Sequence, residues 1–186
     1  MELKKLYNRN SNAKLYEEEA YNTNCGSFAL GVEEWYAPYI DDCDLGSYDD
    51  PLWQYAESER RDYMEELALE GYTAEEIMEA VIEKDFEFIL KTCPWLSPIH
   101  EDEIDPKDRV IAYRLSIDMP EDQDEFDADN DTDFHFRVLI DGKWWEKNGG
   151  GPVHQVADPD NEVWEVDEWL KYEGPIKYAK FRRELA

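Results

Sequence analysis

Three side chains, far apart in the chain, have the right types for thiol chemistry: Cys25, His135 and Asn148. Thr23 or Asn24 can cap a helix, so Cys25 is expected in a first helical turn. There the backbone dipole favours thiolate, and a backbone N–H could stabilise an oxyanion. Asn24 and Gly26 on either side would leave a substrate room to approach. His135 lies in the stretch Asn130–Asn148, where Phe134, Phe136, Val138 and Ile140 alternate with His135, Arg137 and Leu139. Period two marks a half-buried strand, and Asp141-Gly142 supplies a tight hairpin turn. If Ile140 faces Lys143, paired positions sum to 283 and His135 falls opposite Asn148. Some thiol hydrolases hold their general base with such an amide. The plainer reading is a buried thiol and a hairpin with a surface histidine.

Asn24-Cys-Gly-Ser-Phe-Ala29 resembles the nucleophile segment of papain-like peptidases, and Asp133-Phe-His-Phe136 resembles their histidine strand. The arrangement is also similar to a group of phage and gut-bacterial proteins. They share an Asn-Cys segment and a late Phe-His-Phe hairpin followed by Gly-x-Trp. The two motifs cover about a quarter of the chain. The resemblance implies a papain-like or permuted papain-like arrangement, with Cys25 as nucleophile, His135 as base and Asn148 as orienter. Two departures stand against activity: no upstream Gln supplies the oxyanion donor, and Asp133 crowds the histidine.

Charge is the second constellation. The 186 residues hold 47 Asp and Glu against 19 Lys and Arg, a net charge of −28. Such a field repels nucleic acid and anionic membranes and attracts basic surfaces. Glu75, Glu79, Glu83 and Glu87 recur every four residues, and Glu59, Asp62, Glu66 and Glu70 form a similar row. Like charges at that spacing weaken a helix, so rows kept against their own repulsion suggest a use. A ladder of carboxylates can occupy a protein groove that normally tracks phosphates. By analogy with DNA-mimic and anti-CRISPR inhibitors, the expected partner is a basic nucleic-acid-binding protein such as a host CRISPR effector nuclease. The bland reading is a solvated acidic face.

The elements that would carry these groups follow from pattern and punctuation. Asn12–Tyr21 suggests a short helix, and the cysteine helix is expected to run on towards Tyr36. Asp50-Pro51 starts a helix running to about Glu70, stopped by Gly71. Its expected inner side is Leu52, Tyr55, Ala56, Tyr63, Met64, Leu67 and Ala68. Thr73-Ala-Glu-Glu76 is a capping box opening a further helix that ends before Pro94. Residues 94–108 read as loop and Arg109–Ile117 as a central strand. The hairpin follows, then Gly149–Pro152 as a bend, a short strand at Val153–Ala157, an ambiguous Val163–Leu170 in which Asp167-Glu-Trp169 leans to a short helix, and a last strand at Ile176–Arg182. Helices first and strands later give an α+β class, with N-terminal helices on a mostly antiparallel sheet. One domain is expected, with a helical half 1–95 and a β-rich half 96–186.

Other chemistries find little here. Asp127–Asp133 begins like a calcium loop, but Thr132 stands where glycine is expected and Val138 where Glu is expected. Cys93 and His100 have no second pair for zinc. No cofactor or metal is expected. Met1 is followed by polar residues and no apolar run approaches membrane length, so a cytoplasmic protein is expected. Its three cysteines read as reduced thiols.

Overall fold

The capping box closes as its residues dictate. Thr73 Oγ1 accepts the Glu76 N–H at 3.3 Å, and Glu76 accepts the Thr73 N–H at 2.9 Å. From it α3 runs over Ala74–Thr92 and buries Ile77, Met78, Val81, Ile82, Phe86 and Ile89. The computed structural model describes residues 23–32, 34–159, 163–165 and 171–182. The helix expected at Asn12–Tyr21 and the helical turn expected at Asp167–Trp169 lie outside those residues.

Two further α-helices are described, α1 (Cys25–Leu30) and α2 (Glu57–Leu69). Both are shorter than their apolar patterns suggest. Gly31 takes a left-handed φ of 71° and ends α1, so Trp35 and Tyr36 lie beyond it. Asp50 caps a 3₁₀ turn, Pro51–Tyr55, through the Leu52 N–H, and the extended Ala56 separates that turn from α2. Proline at the start fits, but the chain turns again before the α-helix begins.

Six strands form one sheet in the order β1 (Leu96–Ile99), β8 (Lys177–Phe181), β2 (Val110–Ile117), β3 (Thr132–Ile140), β4 (Lys143–Lys147), β5 (Val153–Val156), and each neighbouring pair is antiparallel. With helices packed on it, the class is α+β. Ile140 pairs with Lys143 across Asp141-Gly142, whose φ values of 53° and 73° are both left-handed, as a two-residue hairpin turn demands. β1 lies within residues 94–108, where composition alone points to loop. Pro98 sits in it, and an edge strand tolerates proline because one side needs no N–H.

The sheet is buried on both sides. Ile111, Tyr113, Leu115, Phe136 and Val138 face α1 and α3 in the main core. Val110, Ala112, Leu139 and Trp144 pack on the other face with Trp164 and Tyr172, which belong to a small hairpin of β6 (Trp164–Glu165) and β7 (Lys171–Tyr172). Burial on both sides explains why β2 reads as a nearly unbroken apolar run rather than an alternation. Among the described residues no helix is long and apolar enough to cross a membrane.

Candidate functional site

Alternation along β3 decides where the expected thiol site goes. Phe134 and Phe136 face α1, so His135 between them points through to the opposite face. Cys25, at the start of α1, is buried in the main core with its Sγ 3.9 Å from the Phe134 carbonyl. His135 is equally buried, but its ring lies against Tyr172, 5.2 Å between centroids, and edge-on to Trp164. The backbone of β3 therefore stands between thiol and imidazole. The structure does not bring the two together, and a papain-like arrangement of them gains no support.

Asn148 is not the partner of His135 either. The β3–β4 ladder keeps the expected register but closes at Arg137↔Glu146, before the His135–Asn148 position. Asn148 is half-buried just past β4. His135 Nε2 lies instead 3.2 Å from Glu146 Oε2. The same oxygen accepts Arg137 Nε at 2.8 Å, and Glu146 Oε1 lies 2.9 Å from His154 Nε2. Arg137 also stacks over Trp164 at 4.4 Å. Burial would push the Glu146 carboxyl up. The hydrogen bond and Coulomb attraction of His135, joined by Arg137, outweigh that and hold it down at about 2. Sequence reasoning missed this network, although the hairpin register itself pairs Arg137 with Glu146.

The surroundings of Cys25 suit an inert thiol. Burial, with Asp133 adding repulsion, pushes its pKa up to about 12. Asn24 is spent on structure: its Oδ1 accepts the Ser27 N–H at 2.9 Å and its Nδ2 donates to the Tyr36 carbonyl at 2.7 Å. Lys147, buried on β4, donates to the Thr23 carbonyl at 2.5 Å and to that of Gly149, and burial lowers its pKa.

The acidic rows lie where helical spacing places them. Glu59, Asp62 and Glu66 on α2, and Glu75, Glu79, Glu83 and Glu87 on α3, are all exposed. Three have cations beside them: Asp62 meets Arg61 at 3.3 Å, Glu87 meets Lys91 at 2.7 Å, and Glu83 pairs with Lys177. Glu59, Glu66, Glu75 and Glu79 have no ion pair among the described residues. Acidity itself is not confined to the helices. Residues 1–95 hold 23 of the 47 Asp and Glu, and residues 96–186 hold 24. The helices differ in regularity, with carboxylates repeating about every 6 Å along a rigid axis.

That rigidity has a buried cause. Arg60, on the inner side of α2, meets Asp85 of α3, and Tyr113 of β2 donates to the same carboxylate at 2.7 Å. Among the described residues, no group of three or more His, Cys, Asp or Glu could hold a metal ion. Of the paired tryptophans in the hairpin, Trp144 is buried and Trp145 half-buried, whereas Trp35 is 58% exposed. No protein-family model, curated protein or solved structure matches this chain.

Proposed function

We propose that this chain is an acidic inhibitor whose α2–α3 face occupies the basic nucleic-acid-binding surface of a partner protein. By analogy with phage inhibitors, that partner is a host defence nuclease of the CRISPR effector kind. The observation that carries the reading is the pair of outward carboxylate rows on two helices clamped together by a buried ion pair. Each row steps about 6 Å along its helix, a regular series of carboxylates of the kind a phosphate-tracking groove is built to meet, although sparser than the one phosphate per ~1.7 Å of a duplex axis. A preorganised row also avoids the ordering cost that flexible acidic tails pay on binding.

The test separates the rows from the overall charge. The protein is immobilised, partners are captured from bacterial lysate, and duplex DNA is added as competitor. The proposal expects DNA to displace the captured protein. Raising salt from about 50 mM to about 200 mM should weaken capture by ~10³-fold if several phosphate-like contacts are made. Glu75→Lys with Glu79→Lys and Glu83→Lys should abolish capture, while Asp122→Lys with Asp124→Lys and Glu125→Lys, an equal reversal elsewhere, should leave most of it. Capture that ignores DNA, or that responds equally to both triple variants, overturns the reading.

A further inference from the structure

Between α3 and the sheet edge at β1 lies an open groove of about 620 Å³. Its apolar lining comes from Phe86 and Leu90 of α3, Ile99 of β1 and Ile176 just before β8. Its rim is acidic. Glu83 and Glu87 belong to the α3 row, and Glu101 and Glu103 stand across from them in the short 3₁₀ turn after β1. Phe86 is buried at the bottom of the groove, and Leu90, Ile99 and Ile176 are half-buried around it, so a partly open apolar floor lies between the carboxylates.

We propose that this groove takes a cationic amphipathic helix of the partner, with apolar side chains on the floor and Lys or Arg against the rim. The proposal rests on the reading of the α2–α3 face as a binding surface, and names what that surface recognises besides charge. Charge complementarity selects the occupant: Glu83 meets Lys177 and Glu87 meets Lys91, whereas Glu101 and Glu103 across the groove have no ion pair among the described residues. Lys177 itself shows how a rim carboxylate accepts an ammonium group, because it reaches from β8 to pair with Glu83. Pro98, in the middle of edge strand β1, has no N–H to offer an incoming strand. The occupant must therefore engage through side chains, as helices do in hydrophobic grooves with anchors at i, i+3 and i+4.

The probe is a fluorescently labelled Leu/Lys peptide with its leucines on one helical face, titrated against the whole protein by anisotropy. Two controls accompany it: the same composition scrambled so that no apolar face forms, and a Leu/Glu version of the helix. The Leu/Lys helix should bind at least about tenfold more tightly than the scrambled peptide, and the Leu/Glu helix should not bind. Ile99→Asp, Leu90→Ser and Glu101→Lys should each weaken binding by about tenfold, roughly one lost anchor. Circular dichroism identifies any variant that fails to fold, and Glu101→Lys, at an exposed turn, keeps the test open in that case. Asp124→Lys with Glu125→Lys, exposed and outside both the groove and the helical rows, should leave the affinity within about twofold. Equal binding of the scrambled peptide, or indifference to all three groove variants, overturns the proposal. Charge reversal that still abolishes DNA-sensitive capture would then leave the acidic-face reading standing without the groove.

Discussion

Arg60 of α2 grips Asp85 of α3 through two parallel hydrogen bonds, Nε to Oδ1 and NH2 to Oδ2, both 2.9 Å. Burial works against the Arg60 charge, but Asp85 outweighs it and drives the pKa up. The pair locks the two carboxylate-bearing helices at a fixed distance, so it serves stability and the acidic surface together. Arg60→Ala leaves Asp85 charged and buried with only the Tyr113 hydroxyl. The expected loss is about 3–5 kcal/mol. It would be read as a lower urea midpoint at unchanged slope. Replacing all three groups, with Arg60→Met, Asp85→Leu and Tyr113→Phe, should recover most of that loss. If the single variant alone is nearly neutral, the pair is not the clamp described.

Glu146 makes the acid limb of stability specific. Its carboxyl is held at about 2 against an ordinary 4.5, so the folded state prefers it ionised. A depressed acid contributes fully above the ordinary value and loses that contribution as pH falls through the folded one. The window is therefore about pH 4.5 down to about 2, and the contribution at stake is roughly 3 kcal/mol. Denaturant titrations of the wild type and Glu146→Gln at several acidic pH values would show it. The gap between them should shrink as pH falls across that window, and a constant gap would contradict the assignment.

Thiol reactivity separates an inert Cys25 from a nucleophile. Cys43 is exposed, whereas Cys25 and Cys93 are buried. With its pKa pushed to about 12, Cys25 stays protonated at neutral pH. Iodoacetamide on the native protein, followed by peptide mapping, should label Cys43 first. Cys25 and Cys93 should be labelled only when urea opens the fold. Fast, selective labelling of Cys25 would restore the thiol-hydrolase reading.

The acidic helices and the hairpin were legible because each rests on short-range chemistry. Thr73 and Glu76 form a cap within four residues, and Asp141-Gly142 fixes both the turn and the register of β3 against β4. The thiol site departs from its sequence pattern for a reason equally local. Cys25 and His135 have suitable types, but the alternation that puts Phe134 and Phe136 against α1 turns His135 away from it. Pairing Arg137 with Glu146 by the same register leads towards the buried network on the far face. The β6–β7 hairpin that covers this network gave no usable signal, since two-residue strands carry too little pattern to read. Arg60 was hidden as one more charge on a charged helix; only its partner on the next helix reveals it as buried.

Gly26 tests the same segment from the backbone side. A Cβ there would lie 3.0 Å from Tyr36 Cδ1, 3.1 Å from the Tyr36 carbonyl oxygen and 3.3 Å from Phe136 Cε2. Tyr36 cannot easily give way, because its hydroxyl is bonded to Thr92 Oγ1 at 2.8 Å and its carbonyl accepts from Asn24. Alanine would otherwise favour the helix by up to about 1 kcal/mol. Overpacking opposes that with roughly 1–3 kcal/mol, so Gly26→Ala is expected to lower stability on balance. A glycine kept instead for substrate approach would leave the folded protein room for a methyl group. In that case Gly26→Ala would unfold at the same urea concentration as the wild type or a higher one, and the close packing of α1 on β3 would not be what selects glycine at this position.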